Sequence, residues 1–275
     1  MALRKYLTRG TIYALLVFFA IYYLLPIYVL LITGLKTNAE VNVAWMWRLP
    51  NGIAFDGFNQ AWPKVSANFQ NSMVMTIPAV LISSFIGSIN GYIFSKWRFK
   101  YSNTVFLLFL VGMFLPYQGV LIPLVQTMMA IGLYGKLTGV IFVHCVFGIP
   151  IGAMMFRSYF AGIPDELLDA GKIDGCGFFG LYRHLMLPIA FPVFAVVMIW
   201  QFTSIWNDYI IGLVVLSNPR LAPVNVAVQN LAGTYTTQWQ VQMTGALIAA
   251  LPTIFVYLAL GKFFMRGLLS GSIKG

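Results

Sequence analysis

Apolar positions in this chain run in long unbroken blocks, six of which carry little enough charge to cross a bilayer. Crossing roughly 30 Å of hydrocarbon takes about 20 helical residues. The blocks cover approximately Thr11–Thr33, Asn71–Ser95, Thr104–Ile131, Leu137–Phe156, Leu187–Leu216 and Val241–Gly261. Trp and Tyr gather near block ends and the runs do not alternate, so helices are expected and not barrel strands. Arg4, Lys5 and Arg9 precede the first block, as in a signal peptide, but its apolar run is too long and no small-x-small cleavage site follows. The pattern predicts an all-α integral membrane protein with six transmembrane helices, residues 1–275 forming one transmembrane domain.

Composition agrees with a membrane class. Hydrophobic residues make up 60% of the chain and charged ones 9%, whereas a soluble domain has roughly 45–50% and about 25%. A net charge of +10 raises nucleic acid as a partner, but the basic residues bracket the apolar blocks and form no basic face with interleaved aromatics. With the N-terminus inside, twelve of the seventeen lysines and arginines fall on the cytoplasmic side and five (Lys36, Arg48, Lys64, Lys136, Arg220) on the other. The positive-inside rule therefore places both termini in the cytoplasm. Cys145 and Cys176 fall in a block and in a cytoplasmic loop, so they do not pair, and no metal-ligand spacing appears.

Two outer segments stand out. Residues 34–70 carry Trp45, Trp47 and Trp62 with Pro50 and Pro63, which suits the headgroup level. Residues 217–240 open on Ser217-Asn218-Pro219 and are rich in amides, as in a solvated connector.

One cytoplasmic segment, residues 164–186, holds four of the seven acidic residues, Asp165, Glu166, Asp169 and Asp174. Pro164 suits the first turn of a helix, and acids there meet the positive end of its dipole. A short helix is expected through Ile173, stopped by Gly175 or Gly177 in a left-handed conformation. A second should run from Phe178 to Leu185. Ala170-Gly171 inside the first helix weakens it by about 1 kcal/mol for the glycine, and small residues there would let another protein's surface approach.

Spacing makes this segment specific. Asp169-Ala170-Gly171, three residues, Gly175, nine residues, Leu185, one residue and Leu187-Pro188 resembles the EAA loop of ATP-binding-cassette importer permeases. Asp replaces Glu, Gly replaces Ala and Leu replaces Ile, with both spacings intact. Asn71-Ser72, Ile205-Trp206-Asn207-Asp208-Tyr209 and the tail from Arg266 to Gly275 resemble the carbohydrate-uptake branch, in the form of the maltose system's second permease. Gly91-Tyr92, Lys96-Trp97-Arg98-Phe99, Trp200-Gln201-Phe202 and Ala249-Ala250-Leu251-Pro252-Thr253 look closest to bacterial glucose and mannose permeases.

The resemblance implies a permease subunit in a bacterial or archaeal plasma membrane. Its partners would be a second homologous permease, two ATP-binding-cassette ATPase subunits, an extracytoplasmic sugar-binding protein and membrane lipid. The sugar would be a monosaccharide such as glucose or mannose, or a small glucoside. The EAA helix would be the coupling helix, with Glu166, Asp169, Ala170, Gly171, Asp174 and Gly175 meeting the ATPase. ATP and magnesium would belong to that partner. The chain itself is expected to be no enzyme and to hold no cofactor, because its Gly-Lys pairs at 135, 171 and 261 are followed by Leu, Ile and Phe, not by Ser or Thr.

A sugar path needs hydrogen-bonding groups inside the spans. Asp208 is the one acid in any expected span, beside Asn207 and Trp206 with Gln201 two turns earlier. Such a carboxylate faces a protein interior or a water cavity, so it marks either the path or a structural contact. Gln118, near Pro116 and Pro123, is a further candidate because prolines free carbonyls. His144 and His184 have no partner spacing for catalysis or metal and read as structural. A proton-coupled secondary transporter is the alternative, with Asp208 and His144 as its sole available relay, and an intramembrane enzyme lacks paired catalytic groups.

Overall fold

A segment alone in lipid satisfies its backbone by forming a helix, and the regular elements found here are helices. A computed structural model describes residues 2–97, 99–114, 116–233 and 238–272. Arg98, Lys274 and the middle of the amide-rich loop at 234–237 lie outside the described residues. The helices are α1 (Ala2–Gly34), α2 (Asp56–Lys96), α3 (Ser102–Phe114), α4 (Leu121–Ala130), α5 (Leu137–Ala161) and α6 (Asp165–Ile173). They continue with α7 (Phe178–Leu181), a π-helical turn at Tyr182–Met186, α8 (Leu187–Ile189), α9 (Phe191–Trp206), α10 (Ile210–Val215), α11 (Val224–Asn230) and α12 (Trp239–Ser272). Among the described residues, α1, α2, α5 and α12 are each long and apolar enough to cross a membrane, and two bent pairs bring the number up to six if each pair is one span.

Two expected spans are interrupted. The third stops at Phe114 and restarts at Leu121, with a 3-10 turn at Tyr117–Val120 between. Pro116 there has extended backbone (φ −63, ψ 111) and no N–H to extend a helix. The fifth, expected as one helix over Leu187–Leu216, bends by 77° where Phe178–Ile189 meets Phe191–Trp206. It breaks again at Asn207–Tyr209 before α10. Asn207 donates its side-chain amide to the Thr203 carbonyl at 2.9 Å, and Asp208 accepts from Ile211 and Gly212. Short polar side chains have here replaced ladder bonds.

The described chain divides into two compact units. One holds the residues up to Ser66 with Ala227–Ala250, the other Ala67–Val226 with the residues from Leu251 onward. In the first, α1 leaves nearly its whole apolar length uncovered. The stretch after it folds on itself. The Lys36 ammonium donates to the carbonyls of Trp45 and Met46, and burial pulls its pKa down against the opposing pull of Glu40. Glu40 in turn accepts the N–H of Thr37 at 3.1 Å and of Asn51 at 3.0 Å. Val228 and Leu231 pack on Gly245 of α12.

In the second unit, α2 and α5 meet along small residues. A Cβ added at Gly91 would lie 2.5 Å from Phe156 Cβ, and Gly87 faces Gly152, which is how helices pack closely where lipid supplies no hydrophobic drive. Below this seam, Tyr92, Phe156, Phe160, Leu168, Leu181, Tyr182 and Met186 form one buried cluster. It contains side chains of α2, α5, α6, α7 and the π-helical turn, so the charged segment 164–186 is seated in the core.

The amide-rich segment is more than a solvated connector. It contains α11, and its first part is tied to α2: Asn68 donates to Ala222 O at 2.8 Å, Asn71 to Arg220 O at 2.7 Å, and Ser72 Oγ accepts the Val224 N–H at 2.8 Å. Asn225 donates to Trp206 O at 2.7 Å.

Candidate functional site

Helix α6 is built to present one face. Pro164 stands at its N-cap with Asp165 and Glu166 in the first turn. The Lys96 ammonium, on a side chain only 6% exposed, bridges Asp165 Oδ1 at 2.6 Å and the Ile163 carbonyl at 2.5 Å, latching the start of α6 to the end of α2. At the other end Gly175 adopts φ +84. The Cys176 N–H bonds Gly171 O and the Gly175 N–H bonds Lys172 O, the paired bonds of a Schellman stop. Lys172 pairs with Asp169 at 2.8 Å, and that carboxylate holds the ammonium above the usual lysine value.

The buried side of α6 is Leu168, with Gly171 against α7. A Cβ at Gly171 would lie 2.5 Å from Leu181 Cδ2, so this small residue makes room for the chain's own leucine. Glu166, Asp169, Ala170, Asp174 and Gly175 lie on the exposed side. Three apolar side chains that sequence reasoning passed over stand out with them: Ile173 at 86% exposure, Phe179 at 75% and Leu167 at 44%. Acids therefore surround exposed apolar side chains on this face.

The second feature is a cavity of about 620 Å³ in the Ala67–Val226 unit, within the usual range of small-molecule sites. It lies at the break after α9. Thr203, Ser204, Asn207, Asp208 and Tyr209 line it, with His144 and Phe147 of α5 and with Met113 and Tyr117. Asp208 Oδ2 accepts the N–H groups of Ile211 at 3.0 Å and Gly212 at 3.3 Å, open donors in the first turn of α10. His144 Nε2 stands 3.9 Å from the same oxygen. It is buried and has no hydrogen-bond partner among the described residues.

Of the five path candidates, the structure brings only Asn207 and Asp208 to this cavity. Gln201 is buried and donates to Gly148 O at 2.5 Å, tying α9 to α5. Trp206 is fully buried, stacked on Phe202 and edge-on to Phe69. Gln118 sits exposed on the 3-10 turn, and its neighbour Tyr117 reaches the cavity instead. His144, read as structural from sequence, lines the cavity. The only sequence signal available was its place in a span.

Bent helix pairs beside a cavity with polar groups in its wall, together with an acidic, partly apolar helix, fit a membrane transport protein. The chain belongs to the binding-protein-dependent transport system inner membrane components, whose family model matches residues 79–269. It is 39% identical to a probable ABC transporter permease protein of Pyrococcus horikoshii, with 98% of each chain covered. It is 34% identical to the xylose/arabinose import permease protein of Haloferax volcanii, over 95% of this chain and 92% of that one. A glucose import system permease protein of Saccharolobus solfataricus is 28% identical, over 96% and 95%. Among solved structures, a bacterial ABC transporter that imports the polysaccharide alginate shares the fold, with a TM-score of 0.79 at 21% identity over 93% of this chain and 96% of that one. These relatives are permease subunits and not enzymes. Family membership leaves the proton-coupled alternative without support.

Proposed function

We propose that this chain is one of two homologous permease subunits of an ATP-driven sugar importer in a prokaryotic plasma membrane, with both termini in the cytoplasm. The observation that carries this reading is α6: a short helix latched at one end by Lys96, stopped at the other by Gly175 and exposing an acidic face with apolar knobs. A helix held this firmly transmits displacement, because its buried side is continuous with the cores of α2 and α5. Glu166, Asp169, Ala170 and Asp174 meet an ATPase subunit, while Gly171 and Gly175 shape the helix that carries them. ATP and magnesium are bound by that subunit.

Sugar as cargo is supported by full-length relatives named for xylose, arabinose and glucose import and by the cavity chemistry. Hydroxyl, amide and carboxylate groups beside Tyr117, Phe147 and Tyr209 offer what a polyol with an apolar ring face requires. Residues 217–240 form the surface that receives sugar from an extracytoplasmic binding protein. The uncovered apolar length of α1 faces lipid and the second permease.

Purification of the tagged chain from its own membranes tests the assembly. An ATPase subunit and a second permease should copurify, and sugar-loaded binding protein should stimulate ATP hydrolysis by the reconstituted complex. Purification of a lone chain, or a complex whose hydrolysis ignores every sugar, would sink the proposal.

A further inference from the structure

Buried polar groups in spans are satisfied or functional. Among the described residues of the Ala67–Val226 unit, Thr76, Ser84, Tyr92, Ser95 and His144 each bury a polar side-chain atom without a hydrogen-bond partner, and of these His144 is the one that lines the cavity. The His144 side chain lines the 620 Å³ cavity, and its Nε2 is buried and unpartnered among the described residues. Its nearest charged neighbour, Asp208 Oδ2, is 3.9 Å away, too far for a direct hydrogen bond. The two atoms are held there independently. His144 belongs to the continuous helix α5, while the Asp208 carboxylate is fixed by two backbone N–H groups of α10.

That gap has the width of one bridging oxygen. An oxygen making two hydrogen bonds of about 2.8 Å across it subtends roughly 90°, an acceptable angle for a hydroxyl that donates to one side and accepts from the other. A sugar hydroxyl does both. With Nε2 protonated, the imidazole donates to the hydroxyl oxygen and the hydroxyl donates to the carboxylate.

We infer that His144 and Asp208 form a clamp for a single sugar hydroxyl, so that this subunit contacts the cargo and sets part of its specificity. The inference rests on the importer reading. It goes further by assigning His144, which neither the coupling helix nor the amide-rich segment uses. Asn207 and Ser204, which line the same cavity, serve neighbouring hydroxyls. Tyr117 and Tyr209 offer the ring faces.

The clamp predicts discrimination at one position of the sugar. A site built to bond a hydroxyl rejects the analogue that lacks it, because its buried groups are then left unpaired. In proteoliposomes holding the full complex and its binding protein, uptake of radiolabelled D-glucose, D-xylose, L-arabinose and melibiose identifies the cargo. The monodeoxy derivatives of that cargo are then compared. The wild-type complex should disfavour one of them by about tenfold or more in kcat/KM.

His144→Ala and Asp208→Asn should transport the parent sugar about as poorly as wild type transports that deoxy form, and should treat the two nearly alike. Asparagine keeps an acceptor for the α10 N–H groups, so the break is preserved. His144→Gln, which keeps a donor, should restore part of the discrimination, and copurification of all subunits checks assembly of each variant. If both variants keep the wild-type pattern at every position, or wild type discriminates at none, the clamp is wrong and the gap holds water. If wild type takes up none of the four sugars, the importer reading fails and the clamp falls with it.

Discussion

Replacing Lys96 with methionine keeps the apolar stem and removes the ammonium that latches α6. Two bonds are lost. The Asp165 side chain is 70% exposed, so its carboxylate returns to water and that arm is worth no more than about 1 kcal/mol. The Ile163 carbonyl loses a charged donor at 2.5 Å, worth about 1.5 kcal/mol. Together they come to about 2 kcal/mol, or roughly 30-fold in the ratio of docked to undocked α6. Leu168 and the Gly171–Leu181 contact remain, so the helix should loosen at its N-terminal end and stay folded. Amide hydrogen exchange over residues 164–174 should accelerate by a similar factor in the intact complex. Sugar moved per ATP hydrolysed should fall, because the ATPase then displaces a helix less firmly tied to the spans. Unchanged exchange across α6, with subunit composition normal, would refute the claim that Lys96 holds this helix in place.

Three further outcomes follow from the same geometry. Gly175→Leu forces a side chain into φ +84, at a cost of about 1–2 kcal/mol, and adds bulk to the exposed end of α6. Stimulated ATP hydrolysis and uptake should fall together while the permease remains inserted, and normal values for both would remove Gly175 from the coupling element. Glu40 is held below its usual pKa, first by the Thr37 and Asn51 backbone N–H groups. Its stabilising effect is therefore full above the ordinary carboxylate value and lost as pH falls through the lowered one. Glu40→Gln should flatten that acid-side loss in thermal melts of the complex, and an identical pH profile would show the contacts to be inert. Single cysteines at Lys5 and Lys274 should resist membrane-impermeant reagents applied outside intact cells, and labelling at either would invert the orientation.

Hydropathy made α1, α2, α5 and α12 legible because each is apolar over its whole crossing. It hid the breaks at Pro116 and at Asn207–Tyr209, since averaging over a span dilutes two or three polar residues among many apolar ones. The opening of α6 and its stop at Gly175 were readable because caps are local: proline, acids and glycine act within one turn of where they stand. The contact of Gly171 with Leu181 was not legible, because Leu181 reaches it only through tertiary packing. Lys96 to Asp165 and His144 to Asp208 each join residues more than sixty positions apart. No periodicity in a single sequence pairs such residues. Gln201 and Trp206 stood out by type and neighbourhood, and their burial against Gly148, Phe202 and Phe69 could not be read from the sequence.

The break at Asp208 also bears on how the chain is built into its membrane. A carboxylate delivered to the middle of a bilayer costs about 2.5–3.5 kcal/mol on biological insertion scales, enough to slow commitment of that segment. Its compensation is local. The Ile211 and Gly212 N–H groups follow within four residues. The Asp208 carboxylate therefore waits for no span still to be translated.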